Sequence, residues 1–150
     1  MCPPATREPR PPSLKGEAVS SHVAQGEFVV KLLPLAMENQ PEGGKLARMS
    51  LDKTISGDLV AVTTGQMLSA GTGMEGSAGY VAIEHVEGSL LGRKGSFVLQ
   101  HSGTLCRGEP RLHIAVVPDS GTGELVGLAG TFNIAIADGK HRYEFAFTLP

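Results

Sequence analysis

Three short turns constrain the fold of this chain more than any other feature of its sequence. Gly57-Asp58, Gly92-Arg93 and Asp138-Gly139 each lie between two runs in which apolar and polar residues alternate. A glycine beside a polar residue, flanked by such runs, is typical of a β-hairpin. Because short connections join antiparallel neighbours, the pattern predicts an antiparallel sheet.

Eight segments have the character of strands, and no segment has a convincing helical period. They span residues 27–35, 46–56, 59–69, 78–90, 95–105, 111–117, 125–136 and 141–149. An antiparallel meander of this size removes its free edges by closing on itself. We therefore predict an all-β fold, a closed eight-stranded antiparallel β-barrel. A two-sheet sandwich is the alternative, and it would need longer crossing connections.

The first twenty residues differ from the rest of the chain in composition. Prolines crowd their first part, at Pro3, Pro4, Pro9, Pro11 and Pro12. Proline fixes φ and has no N–H to donate, so such a stretch joins neither a sheet nor a helix. We predict a disordered tail over residues 1–20 and one barrel domain over residues 21–150.

Charge and composition exclude several classes of protein. The formal net charge is -2 and no basic block is present, so we expect no nucleic-acid partner. No apolar run is long enough to span a bilayer, and the N-terminus lacks the plan of a secretory signal. Cys2 and Cys106 do not make a disulfide framework, and Cys106 is expected to be a small buried or rim thiol. A cytoplasmic location is expected.

The hairpin around Gly92-Arg93 predicts an inward-facing acid and histidine. If glycine is the first turn residue, as in a type II′ turn, the register of the two strands follows by counting outward. One face is then apolar except for a single pair, Glu84 and His101, and the other face is polar. The apolar face must look inward. The facing pairs on it are Glu84 with His101, Val86 with Leu99, and Gly88 with Phe97.

Two further hairpins extend this assignment. A turn at Arg107-Gly108 places His101 opposite Ile114, again among inward apolar residues. The turn at Asp138-Gly139 places His141 and Tyr143 inward, toward one rim of the barrel.

The hairpin around Gly57-Asp58 leaves its inward face open. One face carries Lys53 and Gln66 among its apolar residues, and the other carries Arg48 and Asp52. Hydrophobicity favours the first face as inward, but its two polar side chains would be awkward there.

Glu84 and His101 are the candidate catalytic residues. Opposed side chains of an antiparallel pair are close enough for a carboxylate to accept a hydrogen bond from an imidazole. Such a pair can move a proton or hold a polar group of a ligand. The alternative is a structural pair that prevents an unpaired buried charge. The candidate ligand-binding residues are Tyr80, Phe97, Leu99, Ile114, His141 and Tyr143.

No cofactor or metal site is predicted. Residues 71–76 match the pattern G-x-G-x-x-G, but a β-run follows them where a dinucleotide site needs a helix. The cysteines and histidines do not have the spacing of zinc ligands.

Three stretches resemble an uncharacterised bacterial family that is known as a domain of unknown function. They read MSLDKTISGDL, GSAGYVAIEHVEGSLLGRKGSFVLQHSGT and VVPDSGTGELVGLAGTF, and the resemblance covers residues 23–149. That family is similar in fold to allene oxide cyclase and the dirigent proteins, which are eight-stranded antiparallel barrels related to the calycins. The resemblance implies this fold and carries over no catalytic residue.

Three functions remain open from the sequence. The first is a module that binds a small apolar molecule in the barrel mouth. The second, which the resemblance to allene oxide cyclase implies, is a cofactor-independent cyclase or isomerase that acts on a small unsaturated substrate in the lumen. The third is a filled barrel used for association, most simply as a homodimer.

Overall fold

The chain forms a closed barrel of eight antiparallel strands, so the predicted fold is confirmed. The computed structural model describes Cys2 and residues 20–150. Strands that follow one another in the chain are neighbours, and β1 pairs with β8 to close the barrel. The strands are β1 (Ser20–Leu35), β2 (Leu46–Gly57), β3 (Leu59–Gly71), β4 (Ala78–Leu90), β5 (Arg93–Cys106), β6 (Glu109–Val116), β7 (Ala129–Ala137) and β8 (Lys140–Leu149).

The N-terminal tail lies almost wholly outside the described residues, so its disorder stays a prediction. Cys2 is the exception, because it forms a disulfide with Cys106 across a sequence separation of 104 residues. Their Cα atoms lie 6.4 Å apart, within the usual range for such a bond. The expectation of a thiol at Cys106 is therefore wrong, since the turn after β5 brings that side chain beside Cys2.

Two of the predicted turns are confirmed. Arg107-Gly108 and Asp138-Gly139 have positive φ at both residues, which is the backbone of a type I′ turn. His101 accordingly pairs with Ile114, and Ile136 pairs with His141.

The predicted register of the β4–β5 hairpin is wrong by two residues. The turn consists of Leu91 and Gly92, with φ of 49° and 84°, so it is type I′ and begins one residue earlier than expected. Glu84 therefore pairs with Leu99, and His101 pairs with Ala82. A shift of two preserves the alternation of faces, so every residue that was expected to face inward still does. A leucine with positive φ is rare enough that the sequence does not signal it.

The β2–β3 hairpin matches neither of the two faces considered from its sequence. Its strands pair Ile55 with Ala61, so an odd number of residues connects them. The inward residues of β2 therefore belong to one of the two faces considered, and the inward residues of β3 belong to the other. The buried residues of the hairpin are Leu51, Lys53, Ile55, Leu59, Ala61 and Thr63.

The connection from β6 to β7 covers one end of the barrel, which we name the closed end. It contains a short 3-10 helix, Gly123–Leu125, in place of the expected start of β7. Leu125 and Leu128 from this connection are buried in the core. β5 extends beyond the end of β6, so this part of its edge has no β6 residue to pair with. Thr122 of the connection hydrogen-bonds to the backbone of Ser96 there instead.

Aromatic rings fill the lumen next to the closed end. Phe145 is completely buried, and its ring centroid lies 5.2–5.8 Å from three other phenylalanine rings. Aromatic pairs at such distances contribute beyond their burial of area. The opposite end, where the β3–β4 loop and the β5–β6 turn lie, is named the open end. Among the described residues, no helix has the length and apolar character to cross a membrane.

Candidate functional site

Four neighbouring strands each contribute one buried polar side chain to the interior of the barrel. Lys53 of β2, Thr63 of β3, Glu84 of β4 and His101 of β5 are at most 5% exposed. Burying an ionised group at such a place costs several kcal/mol unless the group is paired and hydrogen-bonded. That cost is comparable to the whole free energy of unfolding of a small domain. These four side chains, the polar cluster, meet that requirement together.

Glu84 is the centre of the polar cluster. Its Oε1 accepts a hydrogen bond from Lys53 Nζ at 3.1 Å and another from His101 Nε2 at 2.9 Å. Its Oε2 accepts one from the hydroxyl of Thr63 at 2.6 Å. The structure thus brings the two predicted catalytic residues into contact, diagonally across the hairpin. Their catalytic role stays a prediction.

The surroundings of Glu84 keep it ionised. Burial by itself raises the pKa of this carboxyl group, but the hydrogen bond from His101, the charge of Lys53 and the hydrogen bond from Thr63 together outweigh burial. The pKa of Glu84 consequently lies below its ordinary value. An ionised carboxylate can only accept hydrogen bonds, so the hydrogen between the two residues belongs to His101 Nε2.

Lys53 is a member of the site that sequence reasoning left undecided. Its Nζ lies 4.7 Å from the ring centroid of Phe28 and 6.0 Å from that of Phe132, a cation–π arrangement that supports the buried charge. Its backbone N–H donates to Thr63 Oγ1 at 2.9 Å. The sequence did contain a signal for Lys53. It alternates in β2 with Leu51 and Ile55, so it faces inward if those two residues do.

An apolar recess of about 340 Å³ lies at the open end of the barrel. Its lining includes Met67, Ala78, Tyr80, Leu105, Pro110 and Leu112. The ring of Tyr80 lies 6.4 Å from that of His101, centroid to centroid. Gly103 lies opposite Tyr80 in the strand pair, and a Cβ atom there would collide with the tyrosine ring. Glycine at this position therefore lets the ring lie across the floor of the recess.

Tyr80 carries a neutral hydroxyl group. Burial, and to a smaller extent the negative charge of Glu84, raise the pKa of this phenol. It is therefore protonated at neutral pH and able to donate a hydrogen bond.

A larger groove, of about 710 Å³, crosses the outside of β1, β7 and β8. Charged side chains line much of it, such as the half-buried Glu27 and the exposed Arg142 and Glu144. Size alone would favour this groove. We favour the smaller recess because it is apolar, as small-molecule sites mostly are, and because it is lined by Tyr80, whose ring lies next to that of His101.

Five of the six predicted ligand-binding residues lie outside the lining of the recess. Phe97, Leu99 and Ile114 are at most 1% exposed and belong to the packed core. The hydroxyl of Tyr143 donates to the carbonyl of Ser56 at 2.8 Å and accepts from the backbone N–H of Leu59 at 3.0 Å, so it is occupied in holding the β2–β3 turn.

His141 also lies apart from the recess. It is half-buried and packs against the ring of Phe28, with centroids 5.2 Å apart. Of the predicted ligand-binding residues, the structure brings Tyr80 alone into the lining of the recess.

Within residues 20–150 and Cys2, no group of three or more histidine, cysteine, aspartate or glutamate side chains is placed to hold a metal ion.

The comparison with protein families decides the membership of this chain. A family model described as a protein of unknown function, DUF3224, matches residues 24–147. The chain belongs to the DUF3224 family. The expected membership of an uncharacterised domain family is therefore confirmed.

A solved DUF3224 structure has the same architecture. It is the crystal structure of a protein of unknown function from Shewanella oneidensis MR-1, and it is 53% identical in sequence to this chain. The match covers 87% of this chain and 96% of that one, with a TM-score of 0.80. No curated protein matches the chain. DUF3224 membership thus describes the barrel and names no ligand.

Proposed function

We propose that this DUF3224 barrel binds a small, mostly apolar molecule in the recess at its open end. The observation that carries the proposal is an apolar recess of about 340 Å³ whose lining includes Tyr80, and the ring of Tyr80 lies 6.4 Å from that of His101 in the polar cluster. Its volume falls in the range of small-ligand pockets, and its almost wholly apolar lining suits an apolar occupant.

The exposed wall of the recess supports this proposal. Leu105 is 42% exposed and Leu112 is 45% exposed, although both belong to the inward series of their strands. Covering apolar surface gains about 25 cal/mol per Å². An apolar occupant would gain that free energy here, whereas the lumen at the closed end is already filled by aromatic side chains.

Binding can be measured with N-phenyl-1-naphthylamine, a neutral apolar dye whose fluorescence rises in apolar surroundings. We expect saturable binding to the wild-type protein. Leu112→Trp should weaken it by about tenfold or more, because the larger side chain occupies the recess. Val60→Trp is the matched control, since Val60 is 59% exposed and lies outside the recess lining.

Absence of saturable binding by the wild type would refute the proposal, as would equal weakening by both substitutions. Circular dichroism of each variant establishes that it is folded before its affinity is compared. Native mass spectrometry of freshly purified protein provides an independent test, because a retained natural occupant adds a discrete mass.

A second function, cofactor-independent isomerisation, is favoured by the contact between Glu84 and His101. A carboxylate that accepts from one imidazole nitrogen orients the ring and stabilises the imidazolium that forms when the other nitrogen takes a proton. For an enolisable ketone, the C–H bond would break as an N–H bond forms, and the electron pair would move to the carbonyl oxygen. Tyr80 could donate to that oxygen. Where the ketone carries a β,γ carbon–carbon double bond, return of the proton to the γ-carbon moves that double bond into conjugation with the carbonyl group and completes an isomerisation.

This second function is tested with 1-tetralone, an apolar bicyclic ketone, in deuterated buffer. Proton NMR should show loss of the signal of its α-hydrogens faster than in buffer alone. His101→Gln should abolish the acceleration, while the dye affinity stays within about threefold. If exchange is not accelerated, or if the variant accelerates it equally, proton transfer by His101 is wrong and the binding proposal is unaffected.

A further inference from the structure

The second half of β1 has a neighbouring strand on one side only, as far as the described residues show. β1 pairs with β2 up to Leu35, but its pairing with β8 ends at Phe28, which lies opposite His141. Because β8 begins at Lys140, residues 29–35 extend past it toward the open end. We name this segment the β1 edge, and its outer side is a strand edge of the kind that pairs with an added strand.

The even-numbered residues of the β1 edge carry its unpaired backbone groups. Asp58 N–H donates to the carbonyl of Gln25 at 3.0 Å, so the odd-numbered residues of β1 bond to β2. The alternation of an antiparallel ladder then directs the N–H and C=O groups of Val30 and Leu32 to the other side, where β8 is absent. The carbonyl of Pro34 points the same way, and proline has no N–H to add.

Apolar side chains on both faces of the β1 edge are exposed. Val29 is 74% exposed, Leu33 is 47% exposed and Leu32 is 42% exposed. A groove of about 440 Å³, lined by Val29, Val30 and the β7–β8 turn among others, lies beside the start of the edge and leaves room there. The edge therefore combines unpaired backbone groups with apolar surface, and both are covered when a strand is added.

We propose that the β1 edge pairs with the β1 edge of a second copy, so that the protein is a dimer with one sheet continuous across two barrels. A two-fold axis makes the two edges antiparallel and presents the same groups from each copy to the other. This inference concerns association and does not depend on the proposed ligand of the recess.

One register of this pairing uses every unpaired donor of the edge. It places Leu32 opposite the partner's Leu32, so that each leucine N–H donates to the carbonyl of the other. Val30 N–H then donates to the carbonyl of the partner's Pro34, which has no donor of its own to offer. On the outer face, Lys31 lies directly opposite the partner's Leu33, and its methylene chain can cover that leucine.

The two neighbouring registers are less favourable. A pairing centred on Lys31 places this residue directly opposite the partner's Lys31, and like charges in that position destabilise a sheet. A pairing centred on Leu33 directs Val30 N–H to the partner's Ala36. The carbonyl of Ala36 already accepts from Arg48 Nε at 3.0 Å. Charge and hydrogen bonding therefore both favour the pairing centred on Leu32.

Two substitutions at one position test both the partner and the register. Leu33→Lys places a lysine opposite the partner's Lys31, whereas Leu33→Glu places a carboxylate there. Each variant loses the same leucine, and the two-fold axis doubles the effect of each new charge. We expect a concentration-dependent dimer of the wild type in analytical ultracentrifugation. The Glu variant should have a dimer Kd about tenfold or more below that of the Lys variant.

The matched control is the same pair of substitutions at Val60, which is 59% exposed and lies on β3, away from the β1 edge. Val60→Lys and Val60→Glu should have dimer Kd values within about threefold of each other. Leu32→Pro removes an N–H that β2 does not use, as the native Pro34 does, and should raise the Kd about tenfold or more. Circular dichroism establishes that each variant is folded.

A wild type that stays monomeric at every soluble concentration would refute the inference and leave the edge to a different strand. A dimer that Leu33→Lys and Leu33→Glu weaken equally would refute it too, because association would then use another surface. Neither result bears on the recess, whose lining contains none of the substituted residues. Dye binding by the same variants therefore reports on the proposed function separately.

Discussion

The two ends of the barrel interior are built differently, although the same strands line both. At the closed end the lumen contains Phe97, Phe145 and Phe147, and the β6–β7 connection adds two buried leucines. At the open end the inward series continues into the half-buried ring of Tyr80 and the exposed Leu112. The first arrangement is a hydrophobic core, and the second leaves apolar surface in contact with solvent. One end therefore supplies stability, whereas the other leaves apolar side chains without a packing partner among the described residues.

The largest expected difference between the ends concerns a buried ring and an exposed leucine. Phe145→Ala should lower the free energy of unfolding by about 3–5 kcal/mol, because it creates a cavity among packed aromatic side chains. Leu112→Ala should lower it by less than about 1 kcal/mol, because that side chain is 45% exposed. Urea denaturation followed by circular dichroism measures both. Similar losses would show that the recess is part of the stabilising core.

The two tyrosines of the chain allow the same comparison to be made for single hydroxyl groups. Tyr143→Phe leaves the N–H of Leu59 without its acceptor, and it should cost about 1–3 kcal/mol. Tyr80→Phe removes a hydroxyl group that makes no hydrogen bond to the described residues, and it should cost less than about 0.5 kcal/mol. The same denaturation experiment applies. A large loss for Tyr80→Phe would mean that its hydroxyl stabilises the fold, which would weaken its assignment to a ligand.

The smallest expected effect is the pH dependence of stability that arises from Glu84, in the polar cluster between the two ends. Because the pKa of Glu84 is lowered in the folded state, the unfolded chain takes up this proton more readily. The stabilisation is therefore complete well above the ordinary glutamate pKa of about 4.3 and is lost as the pH falls below it. The control is the double variant Lys53→Met with Glu84→Gln, which removes both charges together.

Thermal unfolding between about pH 3 and pH 7 tests this effect. The melting temperature of the wild type should fall further between neutral and acidic pH than that of the double variant. Parallel pH profiles would contradict a lowered pKa for Glu84.

The acid–histidine contact was accessible from the sequence because it depends on alternation. Residues two apart in a strand share a face, so Glu84 and His101 stay inward even though the β4–β5 turn differs from the predicted one. The contact of Lys53 with Glu84 could not be predicted from the sequence. It depends on whether the β2–β3 connection has an odd or even number of residues, and the residues of that turn do not decide this.

The division of the lumen into two ends could not be read from the strands either. Phe97, Leu99 and Ile114 were expected to contact a ligand because they face inward, and they do face inward. Whether an inward residue meets a partner side chain or an open recess depends on which layer of the barrel it occupies. That depth follows from the stagger of all eight strands together.

The sequence by itself determined the number of strands, their antiparallel order and the inward orientation of one acid and one histidine. These properties follow from local causes, which are the period of two along a strand and the backbone preferences of glycine-containing turns. Tertiary structure alone decided that Lys53 joins Glu84, that Cys2 meets Cys106 and that one end of the lumen stays open. Each of these depends on closure of the barrel, which brings together residues whose separation along the chain carries no local signal.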